Sequence, residues 1–494
     1  MFWKKRKIRT DHEKNQQQNP LETAVTLEAL TQILANMDDA EILEHLTEKG
    51  QKIILVYIRT LIDQERLNES IIKTLNNCSY ETIQECVTAS KISEITNLEE
   101  AQKQLLQGSI LLNDPVRNVW WAVRLENPLS RAIESSETET ILYGPKDSFS
   151  EQIEQNITLI RRRLPLTELK TEKFTVGSLS QTTVMLMYIE GLINPEFISI
   201  ARNKISNIDF DQFLDSSHLA AFMEDHIHSV FPQFQQTDRP DACAAALGSG
   251  KLTILVGNTP FALIAPITFF QLFQSPEDYI HRWPVASFLR SIRFFGFFLS
   301  IILAPLYVAL TSHHYQMIPL QMLSVLLESR SKLPFTPFWE AFLMLITLEI
   351  IKEASLRMPT KQSQTLGIIG GIVIGDAAVQ AGLASILLII VVAVSSIASF
   401  LVPNYLMTKS NKLVQFVFLL LSAFLGLLGI VLGLIALLAH LNGLTSLKQP
   451  YFAPVAPFYG RDWKDVFVRL PLPWMKTRPE SLRPLQKWRY SRRR

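Results

Sequence analysis

The stretch from Gln362 to Tyr405, QSQTLGIIGGIVIGDAAVQAGLASILLIIVVAVSSIASFLVPNY, limits what this chain can fold into more than any other. Its first half is apolar and rich in glycine, with one acid, Asp376. Its second half is free of charge over about the 20 residues needed to cross the hydrocarbon core of a bilayer. A water-soluble domain has little use for such a pair. A membrane protein with a polar route through it does.

The spans expected on this basis are Phe294–Ser312, Phe338–Leu356, Gln364–Gln380, Ala384–Val402 and Leu413–Ala439. The last holds 27 residues without a charge. As one helix it is about 40 Å long, more than a bilayer core, and has to tilt or protrude. Charges crowd into roughly the first 240 residues and the last 50, although the net charge is only +2. That is a soluble–membrane–soluble layout. Cys78, Cys86 and Cys243 are too few for a disulfide framework and fit a reducing compartment. The first residues, MFWKKRKIRT, are followed by no apolar stretch, so no secretory signal is read and the amino-terminal domain is expected in the cytoplasm. Lys4, Lys5, Arg6, Lys7 and Arg9 offer a contact to anionic membrane lipid, or a solvated terminus.

The soluble part is built twice. Ile54-Leu55-Val56-Tyr57-Ile58, Leu61-Ile62-Asp63 and Glu65 recur 131 residues later as Met185-Leu186-Met187-Tyr188-Ile189, Leu192-Ile193-Asn194 and Glu196. A weaker echo relates Gln107–Leu112 to Ser249–Val256. The fold class expected is a duplicated α/β cytosolic domain followed by an α-helical, multi-span membrane domain. Its boundaries are a basic terminus (1–20), two α/β subdomains (21–130 and 131–260) and a connecting segment (261–290). A helical membrane part (291–441) and a basic, proline-rich tail (442–494) follow. The echo makes Leu252–Val256 a soluble strand, although hydropathy favours a membrane segment there. Arg161, Arg162 and Arg163 close a helix opening near Phe149, as cations do near a helix carboxyl end; a subunit or anion contact is the alternative.

Two patterns in the membrane half are candidate sites. Phe338–Leu356 and the residue after it carry Glu340, Glu349, Lys352, Glu353 and Arg357. Glu349, Glu353 and Arg357 fall along one side of a helix. Ionisable groups in a bilayer are costly unless paired or wetted, so this is either a polar path or an ion-pair ladder. Gly367, Gly371 and Gly375 form a doubled GxxxG, which lets helix backbones approach closely in lipid. Asp376 and Gln380 are one turn apart, and Val373 sits among small neighbours as a candidate apolar gate. His313-His314 read as an interfacial pair and not as a metal site. No P-loop, GxSxG, HExxH or CxxC signature is present, so an enzyme is not expected, and nothing points to nucleic acid or a cofactor. The tail, Asn442 to Arg494, has 12 basic and 3 acidic residues and seven prolines, and is expected to be extended and poorly packed. Five spans put it on the side opposite the amino terminus; four leave Lys409 and Lys412 on the wrong side. The charges do not settle the number.

Three blocks resemble the A-subunit family of spore germinant receptors, the GerA type. They are RPDACAAALGSGKLTILVGNTPFALIAPITFFQLFQSPEDYIHRW from Arg239, GPKDSFSEQIEQNITLIRRRL from Gly144, and FWEAFLMLITLEIIKEASLRMP from Phe338 joined to the glycine stretch. Ser148 departs from the glycine expected in the second block. The resemblance implies a subunit in the inner membrane of bacterial endospores, acting with a transporter-like B subunit and a lipoprotein C subunit. It also implies self-association as a ring into a nutrient-gated channel for monovalent cations, and no catalytic residues. A secondary transporter subunit using Glu349, Glu353 and Asp376, or a membrane-anchored signalling scaffold, are the alternatives.

Overall fold

A computed structural model describes residues 25–46, 52–76, 87, 92–114, 119–128, 139, 141, 143–331, 333–358 and 375–489. The first half of the soluble part runs α1 (Leu27–Ile33), β1 (Ala40–Leu46), β2 (Lys52–Ile58), α2 (Gln64–Leu67) and α3 (Lys73–Asn76). It continues with β3 (Ile92–Ile95), α4 (Leu98–Leu106), β4 (Ser109–Asp114) and β5 (Val119–Arg124). The second half runs α5 (Ile153–Arg163), β6 (Leu169–Val176), β7 (Thr182–Ile189), α6 (Pro195–Ser206), α7 (Ser216–Met223), β8 (Gln235–Thr237), α8 (Pro240–Gly248), β9 (Leu252–Val256) and β10 (Ala262–Ala265). The sheets have strand orders β1-β2-β4-β5-β3 and β6-β7-β9-β10-β8, which are the same order twice. Every pair of neighbours is antiparallel.

The repeated residues do the same work in both halves. Tyr57 donates to Glu41 across β1–β2 at 2.6 Å, and Tyr188 donates to Glu172 across β6–β7. Asp63 caps α2 by accepting from the Glu65 and Arg66 amides, and Asn194 caps α6 by accepting from Glu196. Such caps satisfy amides that the first helical turn leaves unpaired. Gly108 and Gly250 lead into β4 and β9 with φ of 77° and 93°. Leu252–Val256 is the strand of the soluble part that the echo predicted, and all of it is buried.

The halves are locked together. Met37 bridges to Thr171 at the outer edge of β6. Beside it Asp39 and Arg161, both with fully buried side chains, form a two-pronged pair, Nε to Oδ2 2.5 Å and Nη2 to Oδ1 2.6 Å. Thr171 and Thr60 donate to the same carboxylate. Of the three arginines only Arg161 is buried, and Arg162 is exposed. Arg162 donates to the Asn127 carbonyl and Arg163 pairs with Asp147. The dipole argument explains their place at the helix end but not their partners, which come from elsewhere in the chain.

The helical part follows a connector whose Phe269, Phe270 and Phe273 are buried. It comprises α9 (Trp283–Ser312), α10 (Leu320–Arg330), α11 (Pro337–Leu356), α12 (Gly375–Gln380), α13 (Ile386–Ser399), α14 (Tyr405–Leu425) and α15 (Leu427–Gly443). Among the described residues one helix, α9, is long and apolar enough to cross a membrane; α13 and α15 are shorter and apolar. Phe294 and Phe297 in the first half of α9 pack on the connector rings, with Phe273 and Phe294 stacked at 4.3 Å. At its other end His313 reaches the Ala423 carbonyl of α14 at 2.8 Å. Side-chain contacts link 300 to 411, 300 to 395, 307 to 385 and 352 to 400. Hence α9 and α14 run away from the soluble domain, and α11, α13 and α15 run back towards it.

Two expectations are corrected here. Leu413–Ala439 is not one over-long helix. The chain turns at Gly426, where φ is 60°, and α15 doubles back on α14, with Gly433 against Phe418 and Gly429 against Leu421. Lys409 and Lys412 lie within α14 and not in a loop. The tail is not loosely packed either, for Tyr451, Ala453 and Leu482 are buried. Ser446 donates to the Gln233 carbonyl at 2.6 Å, Tyr451 to Pro232 at 2.7 Å, and the Leu485 amide to Leu192 at 2.9 Å. The tail therefore lies on the side of the soluble domain.

Candidate functional site

Polar side chains are buried at three levels of the helical part. At the end far from the soluble domain, Glu340 near the start of α11 is 1% exposed. Its Oε1 lies 3.6 Å from Arg330 Nη2 of α10, and its Oε2 accepts from the Ser385 amide at 3.4 Å. Tyr307 of α9 and Ser385, which caps α13, share a hydroxyl contact of 2.9 Å. Glu340 Oε1 and Arg330 Nε make no hydrogen bond. Leaving a buried charged atom without one costs about 1–3 kcal/mol or more. The pair thus joins α10 to α11 loosely, at a height where four helix ends meet.

Lower down, a chain of hydrogen bonds crosses α9, α13 and α14. Asn411 donates to Ser300 Oγ at 2.5 Å, Ser395 to the Ser300 carbonyl at 2.9 Å, and Gln415 to Ser395 at 2.7 Å. Lys412 donates to Gln415 at 3.2 Å and is 7% exposed. Between helices with apolar outer faces, these contacts fix relative height as well as contact.

At the junction with the soluble domain sits a charge clamp. Asp278 of the connector accepts from Arg290 at 3.1 Å and Arg293 at 2.7 Å, both on α9. Arg290 also reaches Asp465 of the tail at 2.8 Å, and the Arg290 and Arg469 guanidinium groups lie 5.9 and 5.5 Å from the Tyr279 ring centre. Connector, first long helix and tail are held as one piece. Close by, Lys251 at the head of β9 donates to Gln271 of the connector at 2.6 Å. Burial pulls its ammonium down to about 7.

The sequence-derived candidates are distributed as follows. Glu340 is buried, as described. Glu349 pairs with Lys352 at 3.6 Å, and Lys352 also covers the Phe400 ring at 4.8 Å. Glu353 pairs with Arg357 at 2.8 Å on the exposed end of α11. The charged helix thus carries short local ion pairs, with Glu340 set apart from them. Asp376 and Gln380 are exposed and bonded to each other at 2.6 Å. No described residue stands within 4 Å of where a Cβ on Gly375 would be. Gly367, Gly371 and Val373 lie outside the described residues. His313 and His314 pack at the Gly426 turn, and no group of three metal-ligating side chains occurs among the described residues. Arg330, Ser385, Ser300, Asn411 and Gln415 were missed. The available signal was polar residues inside otherwise apolar helices, but it does not say which of them meet.

A duplicated antiparallel domain, clamped through an arginine–aspartate cluster to a bundle with polar contacts inside and apolar faces outside, defines a two-part protein with one continuous frame. The sequence model described as Bacillus/Clostridium GerA spore germination protein matches residues 28–481, and the chain belongs to that family. It is 38% identical to spore germination protein GerQA of Bacillus cereus over 470 residues, covering 94% of each chain. It is 33% identical to the uncharacterized membrane protein YfkQ of Bacillus subtilis over 436 residues, covering 88% of this chain and 82% of that one. Among solved structures it is similar to the N-terminal domain of the A subunit of the Bacillus megaterium spore germinant receptor GerK3. That match has a TM-score of 0.38 and 23% identity, covering 50% of this chain and 97% of that one.

Proposed function

We propose that this chain is the A subunit of a nutrient germinant receptor, seated in the inner membrane of the endospore with its duplicated domain in the cytoplasm. The observation that carries the reading is the family match, which runs through both soluble halves, the bundle and most of the tail. In this reading the bundle makes six crossings. Five are α9, α11, α13, α14 and α15. The sixth is the span expected from the sequence at Gln364–Gln380, most of which lies outside the described residues. An even number agrees with a tail bonded to the soluble domain.

The subunit works with a transporter-like B subunit and a lipoprotein C subunit, and copies of it surround a path for monovalent cations. The glycine series through Gly367, Gly371 and Gly375 faces neighbouring copies. The space at Gly375, which no described residue of the chain occupies, supports this. Val373 and its small neighbours form the apolar constriction, which closes by dewetting. Nutrient bound elsewhere shifts the closed–open balance by binding the two states unequally. In spores, Val373→Ala is expected to give germination without nutrient and early cation release. Wild-type nutrient dependence and release in that variant would remove Val373 from the gate.

A further inference from the structure

The second soluble half leaves an apolar edge uncovered beside the bundle. Ile227 is 69% exposed, and Phe222 and Val230 are each more than two-fifths exposed. Phe210 and Leu214 extend the edge, with the Phe210 and Phe222 rings 5.1 Å apart. The edge is anchored next to the near ends of two bundle helices. The Val230 carbonyl accepts from Ser410 of α14, and Ser229 lies 3.0 Å from His440 Nε2 of α15. Just beyond these anchors the outward residues Leu413 of α14 and Leu438 of α15 are exposed and apolar. The apolar outer surface of the α14–α15 hairpin thus continues onto the soluble domain at this one corner. A run of exposed aromatic and aliphatic side chains of this kind marks a contact surface.

We propose that this edge is a wedge inserted into the near-side monolayer, at the boundary between headgroups and acyl chains. The inference rests on the reading that α14 and α15 cross a bilayer. Continuity with their outer faces selects lipid as the occupant. Charge selects the depth: Asp209, Asp211 and Glu224 flank the edge, and Asp225 is already held by Lys204 at 2.7 Å. Exposed Lys448, whose amide donates to Asp225, is outnumbered by these acids, so among the described residues no basic patch faces anionic headgroups, and apolar burial drives the insertion. The soluble domain is then held to the membrane at two places, the charge clamp on α9 and this wedge. Any rotation of that domain has to drag the wedge through lipid.

Spin labels on the full chain in vesicles test this. Cys78→Ser and Cys86→Ser remove two thiols, and Cys243 stays, because it is fully buried. Labels go at Ile227→Cys and, separately, at Phe222→Cys. Val417→Cys on the outer face of α14 and Glu65→Cys in the first soluble half serve as references. The vesicles are phosphatidylcholine alone or with phosphatidylglycerol. The wedge predicts that the Ile227 and Phe222 labels collide freely with oxygen. Their collisions with a water-soluble nickel chelate should be several-fold rarer than those of the Glu65 label, alike in both lipids. If the Val417 label is shielded from the chelate and the two wedge labels are not, the wedge is wrong and the membrane reading stands. If all are open to the chelate, the crossing of α14 itself is wrong. Wedge labels immobilised and shielded from both reagents would give the edge to another copy of the chain.

Discussion

At the scale of single residues, the strongest constraints sit where one side chain has no substitute. Asp39 is fully buried. Burial alone pushes its carboxyl up, but the Arg161 charge and the bonds from Arg161, Thr171 and Thr60 together hold it below its ordinary value of 3.8. Its pairing therefore stabilises the fold at pH values above that ordinary value, and the contribution disappears as pH falls through the lowered one. Asp39→Asn strands the Arg161 charge and is expected to cost about 3–5 kcal/mol. Denaturant titration of the full chain in detergent, followed in the soluble domain, measures it; a change under about 1 kcal/mol would rule out a locking role. Lys251 behaves oppositely. Its ammonium is pulled down to about 7 by burial, whereas an unfolded lysine titrates near 10.5. Between those values the unfolded state binds the extra proton, so stability rises with pH across that window. Lys251→Met should raise the melting temperature at pH 6, with the gain shrinking towards pH 10. A gain independent of pH would show that Lys251 is wetted. Neither residue stood out in the sequence. Asp39 lies in an undistinguished acidic pair, and Arg161 shared a helix-end explanation with two neighbours that make different bonds.

At the scale of elements, the sequence is most informative where periodicity and repetition agree. The second copy of the strand–turn–helix motif fixed β7, the turn through Asn194 into α6 and, through the weaker echo, β9 as a strand of the soluble part. Hydropathy alone would have placed part of that region in lipid. The run from Leu413 to Ala439 failed for a related reason. Leucine and glycine in an uninterrupted apolar series fit a long helix and a tight hairpin equally well, and only the conformation at Gly426 separates them. A Cβ there would stand 2.8 Å from His314 Nε2 and 2.9 Å from His313 Cβ, at a φ that residues other than glycine rarely adopt. Gly426→Ala is accordingly expected to lower the melting temperature by several degrees and to weaken the α14–α15 pairing, read from a disulfide introduced between Phe418→Cys and Gly433→Cys. Unchanged melting and cross-linking would favour a turn elsewhere. The charged helix was legible as a polar path or an ion-pair ladder, and Glu349–Lys352 and Glu353–Arg357 are local pairs. The partner of Glu340 was not, because Arg330 lies on α10, a short helix that was not foreseen.

At the scale of the whole molecule, the soluble domain, the base of α9 and the tail form one packed unit. Charge asymmetry pointed to an extended, poorly packed basic tail. It misled because Asp465 pairs with Arg290 of α9 and Arg469 donates to the His281 carbonyl, so these tail charges are spent on contacts with the rest of the chain. Placement of the tail beside the soluble domain predicts that both termini lie on the same face. Cysteines added at the two termini should both be modified by a membrane-impermeant reagent, or both be protected, in sealed vesicles of uniform orientation. Opposite labelling would exclude six crossings. The central claim, that copies of this chain enclose a gated cation path, is tested most directly by single-channel recording from the purified chain in planar bilayers, with Val373→Ala alongside. The account predicts discrete currents carried by monovalent cations, rarely open in the wild type and open much longer in the variant. Silent bilayers containing folded protein, or currents that Val373→Ala leaves unchanged, would contradict it.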